Sequence, residues 1–410
     1  MRVGRGPILA AALAAALAAR GAQAQRPRVH DVPPRPALFA GADTSSAGVY
    51  YTWGLTVLEE KPADAAAAFY WASRLNPGWA DPLYARRVAL LMTDERRLVN
   101  YMGRTRATLR NEEILAIDSL QLRALSLDPF LFQKLDKALL RRYLLTLYIE
   151  ASRDYAGNPD AALASFAVER ELDRADPFFR AWLAYSEGRF PAAIEQYERE
   201  LRSAREKARL RTDLARMHYL SGDAAKAIEH LTAALEERRK RENDSRENIF
   251  VYDSKALLEH SLATAHVKAG DVAAAREAYG RALQEDLAFA PAHAALAQLA
   301  LAAGDTASAL SEMALAVELA PSDAALRYDY GVLLARSGAR AGEAAAELKR
   351  AAELEPYYAA PHFILGVMHD GSDLRDEALE HYRAFLERAA RDDPQRARAQ
   401  ARVAALAAAQ

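Results

Sequence analysis

The chain has 410 residues, of which 51% are hydrophobic and 27% are charged, and its formal net charge is −2. It contains no cysteine, which excludes disulfides, thiolate metal sites and thiol nucleophiles. A slightly acidic chain also argues against nucleic-acid binding, because a phosphate backbone requires a basic surface. The length is ample for a large hydrophobic core.

Residues 1–24 predict a secretory signal peptide. Arg2 and Arg5 precede an apolar run of 12 residues, and Ala-Gln-Ala at 22–24 has the small-x-small pattern of a cleavage site. The apolar run is too short to span a bilayer comfortably, although an uncleaved anchor is the alternative. We therefore expect an exported protein, periplasmic or secreted, that begins at Gln25 and has no transmembrane span after leader removal.

Residues 25–46 contain four prolines followed by Gly, Asp, Thr and Ser, a composition typical of an extended tether. The remainder of the chain predicts helices, because apolar residues recur at three- and four-residue spacing. We divide it into an N-terminal repeat unit with degenerate helical units (47–135), further repeat units (136–241), an inserted loop (242–255), four repeat units (256–392) and a C-terminal capping helix (393–410).

The repeat pattern is clearest in residues 256–392, where one phrase recurs with a period of about 34 residues. Its four copies start at Ala256, Ala290, Ala324 and Ala359. Each copy has an apolar cluster, then a glycine, and then an Ala-rich segment that carries a large residue. A Gly-Asp pair at the turn predicts a left-handed stop for one helix and an N-cap for the next.

A 34-residue period with small residues at these positions resembles the tetratricopeptide repeat family. The resemblance implies an all-α, right-handed superhelical solenoid of about eight or nine helix–turn–helix repeats. Each pair of helices cannot bury its apolar faces alone, so neighbouring units must stack. We expect Gly366 and Ala378 to be small because two helices cross closely there, and Tyr279 and Tyr382 to fill the space between units.

The resemblance also implies a binding surface. In the family, positions 2, 5, 9, 12 and 13 of the first helices line a concave groove. The residues chosen at these positions as candidates for binding a protein or peptide are Phe178, Trp182, Tyr185, Arg216, Tyr219, His260, Lys268, Gln298, Tyr328, Arg336 and Phe363. The Lys and Asn pair by which some family members hold a C-terminal carboxylate is absent.

We expect the recognition surface to be centred on the units from Arg174 to about Phe289. Tyr185 and Tyr219 both occupy position 12, and stacking of units should place them side by side. Aromatic and arginine side chains commonly anchor peptides. The alternative is that these rings pack beneath the inserted loop, which either runs over the surface or folds into the groove.

Catalytic and cofactor motifs are absent from the sequence: it contains no zinc-protease, phosphate-loop, dinucleotide or nucleophile-elbow pattern. Five histidines are at positions that hold packing residues in the family: His218, His266, His293, His362 and His369. We expect His230 and His381 to be solvated on outer helices. His362 and His369 with Asp370 and Asp373 are the one potential metal cluster, and core packing with a helix stop at Gly371 is preferred.

The sequence therefore predicts an exported scaffold that binds a protein or peptide in its concave groove, without enzymatic activity or a cofactor. Two alternatives stay open. One is a structural subunit of a cell-envelope assembly that makes contact through its convex face, and the other is an enzyme with a site in the groove. An apolar patch on the outer face would favour the assembly.

Overall fold

The structure, a computed structural model, describes residues 28–102, 112–156, 177–204, 207–240, 254–338 and 340–408. These residues form 19 α-helices and no strand. This confirms the predicted all-α repeat solenoid. The predicted signal peptide and most of the predicted inserted loop lie outside the described residues. Among the described helices, none combines the length and the apolarity that a bilayer crossing requires.

Six of the described helices lie in the N-terminal part. They are α1 (Ala47–Val57), α2 (Pro62–Leu75), α3 (Ala80–Met92), α4 (Glu95–Met102), α5 (Glu112–Leu127) and α6 (Asp136–Ala156). Two further pairs follow: α7 (Pro177–Ser186) with α8 (Phe190–Ser203), and α9 (Lys207–Leu220) with α10 (Ala224–Lys240).

The C-terminal part contains four helix pairs and a final helix. The pairs are α11 (Lys255–Ala269) with α12 (Val272–Glu285), α13 (Ala290–Ala302) with α14 (Thr306–Leu319), α15 (Ala324–Ser337) with α16 (Ala341–Leu354), and α17 (Ala360–Asp370) with α18 (Arg375–Arg388). Helix α19 (Arg396–Ala408) packs against α18. Within each pair the two helices contact one another along their length, and each second helix also contacts the first helix of the next pair.

Small residues allow the paired helices to approach closely. A Cβ atom added to Gly331 would lie 2.7 Å from Leu348 Cγ, and one added to Gly366 would lie 2.8 Å from Tyr382 Cδ1. Both distances are shorter than van der Waals contact, so these positions exclude a side chain. The predicted role of Gly366 is thereby confirmed.

The turn between paired helices has a left-handed backbone conformation at position 15, counted from the first residue of each unit. Glycines with positive φ occupy this position in five units: Gly188, Gly222, Gly270, Gly304 and Gly338. In the last unit Asp373 takes the left-handed conformation instead, with φ 57°, whereas Gly371 stays right-handed. Asp271 then accepts a hydrogen bond from Ala274 N at 3.0 Å, which caps the second helix as predicted.

Residues 28–46, here called the N-terminal strap, form no helix, yet they pack along the fold. Trp71 Nε1 donates to Pro33 O at 3.1 Å, and Arg86 donates to Val29 O at 2.8 Å. The prolines explain the extended conformation, because they cannot continue a helix or donate a backbone hydrogen bond. The described part of the predicted tether is therefore attached to α2 and α3.

The N-terminal part also touches the C-terminal end of the chain. Asp43 Oδ2 accepts a hydrogen bond from Arg391 N at 2.6 Å, and Arg74 Nε lies 2.6 Å from Glu355 Oε2. Trp71 and Tyr357 meet edge to face with their ring centroids 4.9 Å apart. The guanidinium of Arg35 in the strap lies 4.6 and 4.9 Å from those two ring centroids. The first helix pair thus lies beside residues 355–357, at the end of the α15–α16 unit, and the strap lies beside Arg391, which follows α18.

Candidate functional site

The eleven predicted groove residues lie on the first helices of successive pairs, but their exposure differs widely. The side chain of Phe178 lies outside the described residues. Three others are buried: Tyr185, His260 and Phe363. Four are partly buried: Trp182, Arg216, Tyr219 and Tyr328. Of the ten described side chains, only Lys268, Gln298 and Arg336 are exposed.

Tyr219 is covered by another part of the same chain. Its ring stacks on Phe130, with centroids 3.6 Å apart and planes 6° from parallel. Lys268 Nζ lies 3.9 Å from the centroid of the Tyr219 ring and donates to Tyr219 O at 2.6 Å. Because Phe130 occupies one face of the ring, the ammonium must lie over the other. Both faces of the Tyr219 ring are therefore covered by residues of the same chain, so neither face is available to a ligand.

Tyr185 is covered by the same region. Phe132 meets its ring edge to face at 5.7 Å, and Gln133 N donates to the Tyr185 hydroxyl at 3.4 Å. Burial raises the pKa of the Tyr185 phenol to about 12. Residues 128–135, which join α5 to α6 and are here called the inner segment, thus lie on the position-12 residues of two repeat units.

Trp182 and Arg216 complete the region that the sequence predicted as its centre. Trp182 packs against Leu140 and Leu183, so part of its surface belongs to the core. Arg216 Nη1 lies 3.6 Å from Asp213 Oδ1, and only 12% of the arginine side chain is exposed. The rings were predicted to pack beneath the inserted loop if they were not a binding surface. In the structure Tyr185 and Tyr219 pack beneath the inner segment, whereas Trp182 packs on Leu140 of α6. Residues 241–253 of the inserted loop lie outside the described residues.

Two candidates farther along are core residues. His260 lies between Tyr279 and Phe289, with both ring centroids at 5.4 Å. Burial lowers the pKa of the His260 imidazole to about 4, so the ring is neutral at pH 7. Phe363 packs against Phe385 at 5.2 Å. These side chains stabilise the repeat and offer little surface to a partner.

The exposed candidates accompany two apolar residues that the sequence analysis did not select. Val267 on α11 is 41% exposed and Leu301 on α13 is 40% exposed. Both occupy position 12, the position of Tyr185 and Tyr219, so the same counting would have found them. They were missed because aromatic and charged residues were favoured as anchors.

The histidines are arranged differently from the prediction. His230, expected to be solvated, is only 6% exposed and stacks on His218 with centroids 5.4 Å apart. That prediction was wrong, because the second helix turns this residue towards the first helix of its own pair. Of the five expected packing histidines only His218 is buried, and the other four are partly buried.

The potential metal cluster near the C-terminal end is not assembled. Both oxygens of Asp370 accept hydrogen bonds from Arg402 at 2.7 Å, and Asp373 forms the turn. His362 instead meets His381, with their Nδ1 atoms 3.3 Å apart, in a cavity of about 520 Å³. The preferred interpretation of packing and a helix stop fits these contacts, with the turn completed by Asp373.

Comparison with known families supports the repeat resemblance. A family model described as tetratricopeptide repeat matches residues 178–243 and 260–324, which cover α7 to α10 and most of α11 to α14. The chain therefore carries tetratricopeptide repeats in these two stretches, which together make up less than half of its length. No curated protein matches the sequence.

Solved structures with similar helical arrangements share little sequence with this chain. Yeast Tom70 is 14% identical over 89% of this chain and 89% of its own, with a TM-score of 0.44. A chain of the APC/C hetero-tetramer Cut9–Hcn1 is 13% identical over 88% of this chain and 76% of its own, with a TM-score of 0.38. The TPR2AB domain of yeast Sti1, solved with pHSP90, is 19% identical over 58% of this chain and 99% of its own, with a TM-score of 0.26. At these values the likeness does not extend to function.

Proposed function

We propose that this chain is an exported repeat scaffold that binds a protein or peptide on the first-helix face of α11, α13 and α15. The observation that carries the proposal is the exposure of Val267 and Leu301 at position 12 of consecutive units. Large apolar side chains that recur on one face of a repeat array mark an interaction surface more strongly than isolated ones. The role is binding and not catalysis, because the matched family is a repeat scaffold.

The polar residues near Val267 and Leu301 suggest the chemistry of the ligand. Lys268 and Arg336 supply positive charge, and Gln298 supplies an amide donor and acceptor. A segment with apolar side chains and nearby carboxylates would complement this combination. The proposed surface is centred farther along the chain than residues 174–289, because the inner segment covers Tyr185 and Tyr219.

A matched pair of double variants tests the proposal. Val267→Ser with Leu301→Ser alters the proposed face, whereas Leu315→Ser with Leu319→Ser alters α14, where the exposures are 40% and 39%. Affinity capture from the envelope fraction, quantified against wild type, should lose a partner only in the first variant. Retention of every partner by both variants would overturn the proposal.

Leu315 and Leu319 also favour a second candidate function. They are one turn apart on a second helix, so they form a small apolar patch on the opposite side of the repeat from the proposed face. A structural subunit of an envelope assembly would use such a patch. Loss of a partner in the α14 variant alone would support this alternative.

Export is a separate part of the proposal and rests on the pattern of residues 1–24. Expression of the full chain with its leader, followed by N-terminal sequencing, should give a mature protein that begins at Gln25. The mature protein should be recovered in the periplasmic or secreted fraction. A product that begins at Met1 and stays in the membrane pellet would contradict export by cleavage.

A further inference from the structure

Two buried imidazoles and a carboxylate converge where the α7–α8 pair meets the α9–α10 pair. Glu198 comes from α8, His218 from α9 and His230 from α10. One potential ligand atom from each residue lies within 4.8 Å of the other two. No other group of three such residues with this spacing occurs in the part of the chain that the structure describes.

One ring nitrogen of each histidine in this group lacks a hydrogen-bond partner. His218 and His230 are only 8% and 6% exposed. Their Nε2 and Nδ1 atoms, respectively, are inaccessible to solvent and make no hydrogen bond. A buried polar atom without a partner is destabilising, so native proteins rarely leave two together. Two lone pairs beside a carboxylate are a suitable environment for a cation.

We propose that Glu198, His218 and His230 bind a divalent transition-metal ion, with zinc as the type that best fits two imidazoles and one carboxylate. Zinc takes nitrogen and oxygen ligands at about 2.0–2.2 Å in tetrahedral geometry, which places neighbouring ligand atoms roughly 3.3 Å apart. The three ligand atoms now lie within 4.8 Å of one another, and small rotations of their side chains would bring them to this shorter distance. Glu198 is exposed and therefore free to close on the ion.

Neighbouring groups prepare the histidines for this role. Asp223 Oδ2 lies 3.8 Å from His218 Nδ1, which favours a proton on Nδ1 and leaves the lone pair on Nε2. Burial lowers the pKa of both imidazoles, that of His230 to about 4, so both are neutral at pH 7. A neutral imidazole is the form that binds metal.

The nearby positive charges are already matched. Lys226 Nζ lies 2.8 Å from Glu229 Oε2, and Arg211 Nε lies 3.0 Å from Glu237 Oε1. An ion at the site would connect two successive helix pairs, because Glu198 belongs to one pair and both histidines to the other. Its fourth position would be open towards solvent on the side of Glu198.

Zinc binding to the mature full-length chain tests the proposal. After treatment with chelator and dialysis, isothermal titration with Zn²⁺ should give one equivalent bound, and Zn²⁺ should raise the thermal midpoint. Co²⁺ should give the visible absorption of a tetrahedral site. Glu198→Gln and His230→Gln should each lower the zinc affinity by at least about tenfold.

Two design features keep the result interpretable. Glu198 is exposed, so Glu198→Gln should leave the metal-free thermal midpoint unchanged even if His230→Gln alters it. The control is His362→Gln with His381→Gln, which removes the other close histidine pair and should leave zinc affinity as in wild type. The proposal is overturned if wild type binds no zinc, if both site variants bind as wild type does, or if the control abolishes binding.

Discussion

Position 12 of the repeat has two different environments in this molecule. In the units of α7 and α9 it holds Tyr185 and Tyr219, and the inner segment lies on both rings. In the units of α11 and α13 it holds Val267 and Leu301, which remain about 40% exposed. The repeat thus determines which way a residue points. A segment distant in sequence determines whether that residue is covered.

This difference separates two uses of a repeat array. Where a segment of the same chain packs against the repeat helices, large aromatic side chains at position 12 become part of the core. Where it does not, the same position is available to another molecule. The four predictions below concern buried residues first and the exposed pair at position 12 last, beginning with the largest expected effect.

Phe130→Ala should lower the free energy of unfolding by about 3–4 kcal/mol, because Phe130 is only 2% exposed and its ring is stacked on Tyr219. Phe39→Ala, at a site 61% exposed, should change stability by less than about 0.5 kcal/mol. Hydrogen exchange should accelerate in residues 128–135 and stay unchanged in α13 to α16. Equal acceleration in both regions would show that the inner segment does not unfold independently of α13 to α16.

His260→Leu should weaken the acid sensitivity of the α11 region. The wild-type pKa is about 4 in the fold because of burial, against about 6.5 in the unfolded chain. Protonation therefore favours the unfolded chain, and stability is lost as the pH falls from about 6.5 towards 4. At pH 5 the loss attributable to His260 is about 2 kcal/mol, as an order of magnitude.

Urea midpoints of wild type and His260→Leu at pH 7, 6 and 5 would measure this loss. The difference between the two proteins isolates His260, because the other histidines with lowered pKa values are present in both. Parallel pH dependences would mean that His260 is accessible to protons in the fold. The region would then be more open than its contacts indicate.

Gly331→Ala should destabilise the C-terminal repeats by about 1–2 kcal/mol, because the added methyl group would lie 2.7 Å from Leu348 Cγ. Gly280→Ala is the matched control, since no atom lies within 4 Å of its added Cβ. The control should stabilise the protein by about 0.5–1 kcal/mol through better helix propensity. Thermal midpoints of both variants measure the contrast, and equal shifts would show that the helices separate at little cost.

Val267→Ser with Leu301→Ser should change the free energy of unfolding least, by less than about 1 kcal/mol in total, because both side chains are exposed. Urea denaturation of this variant provides the measurement. A loss of several kcal/mol would show that these side chains are covered in solution. The contrast at position 12 would then disappear.

Regular features of the fold were predictable from the sequence where physical constraints repeat. A left-handed turn residue recurs at position 15, and glycine satisfies it without strain, so the glycines revealed the period. Asp373 shows why counting positions is safer than matching residue types. The turn stays at position 15 even where the glycine, Gly371, lies two residues earlier.

The covering contacts were not predictable in the same way. Residues 81–135 lose the repeat period, so nothing in the sequence aligned Phe130 with Tyr219. The burial of His230 depends on the rotation of α10 about its own axis relative to α9. The prediction that His230 is solvated on an outer helix did not consider this rotation. Glu198 and His230 are 32 residues apart, so their proximity depends on the stacking of units and not on a local motif.

The contact between Arg391 and residues 41 and 43 spans about 350 positions of the chain. An open repeat array frays from its free ends, since a terminal unit has only one neighbour to hold it. Here the strap before the first unit binds Arg391 after the last helix pair, so neither end can open without breaking these contacts. Contacts this distant also raise the contact order, and they can form only after the intervening repeats have folded. We expect docking of the strap against Arg391 to be the last and slowest step of folding, visible as a late phase in Trp71 fluorescence.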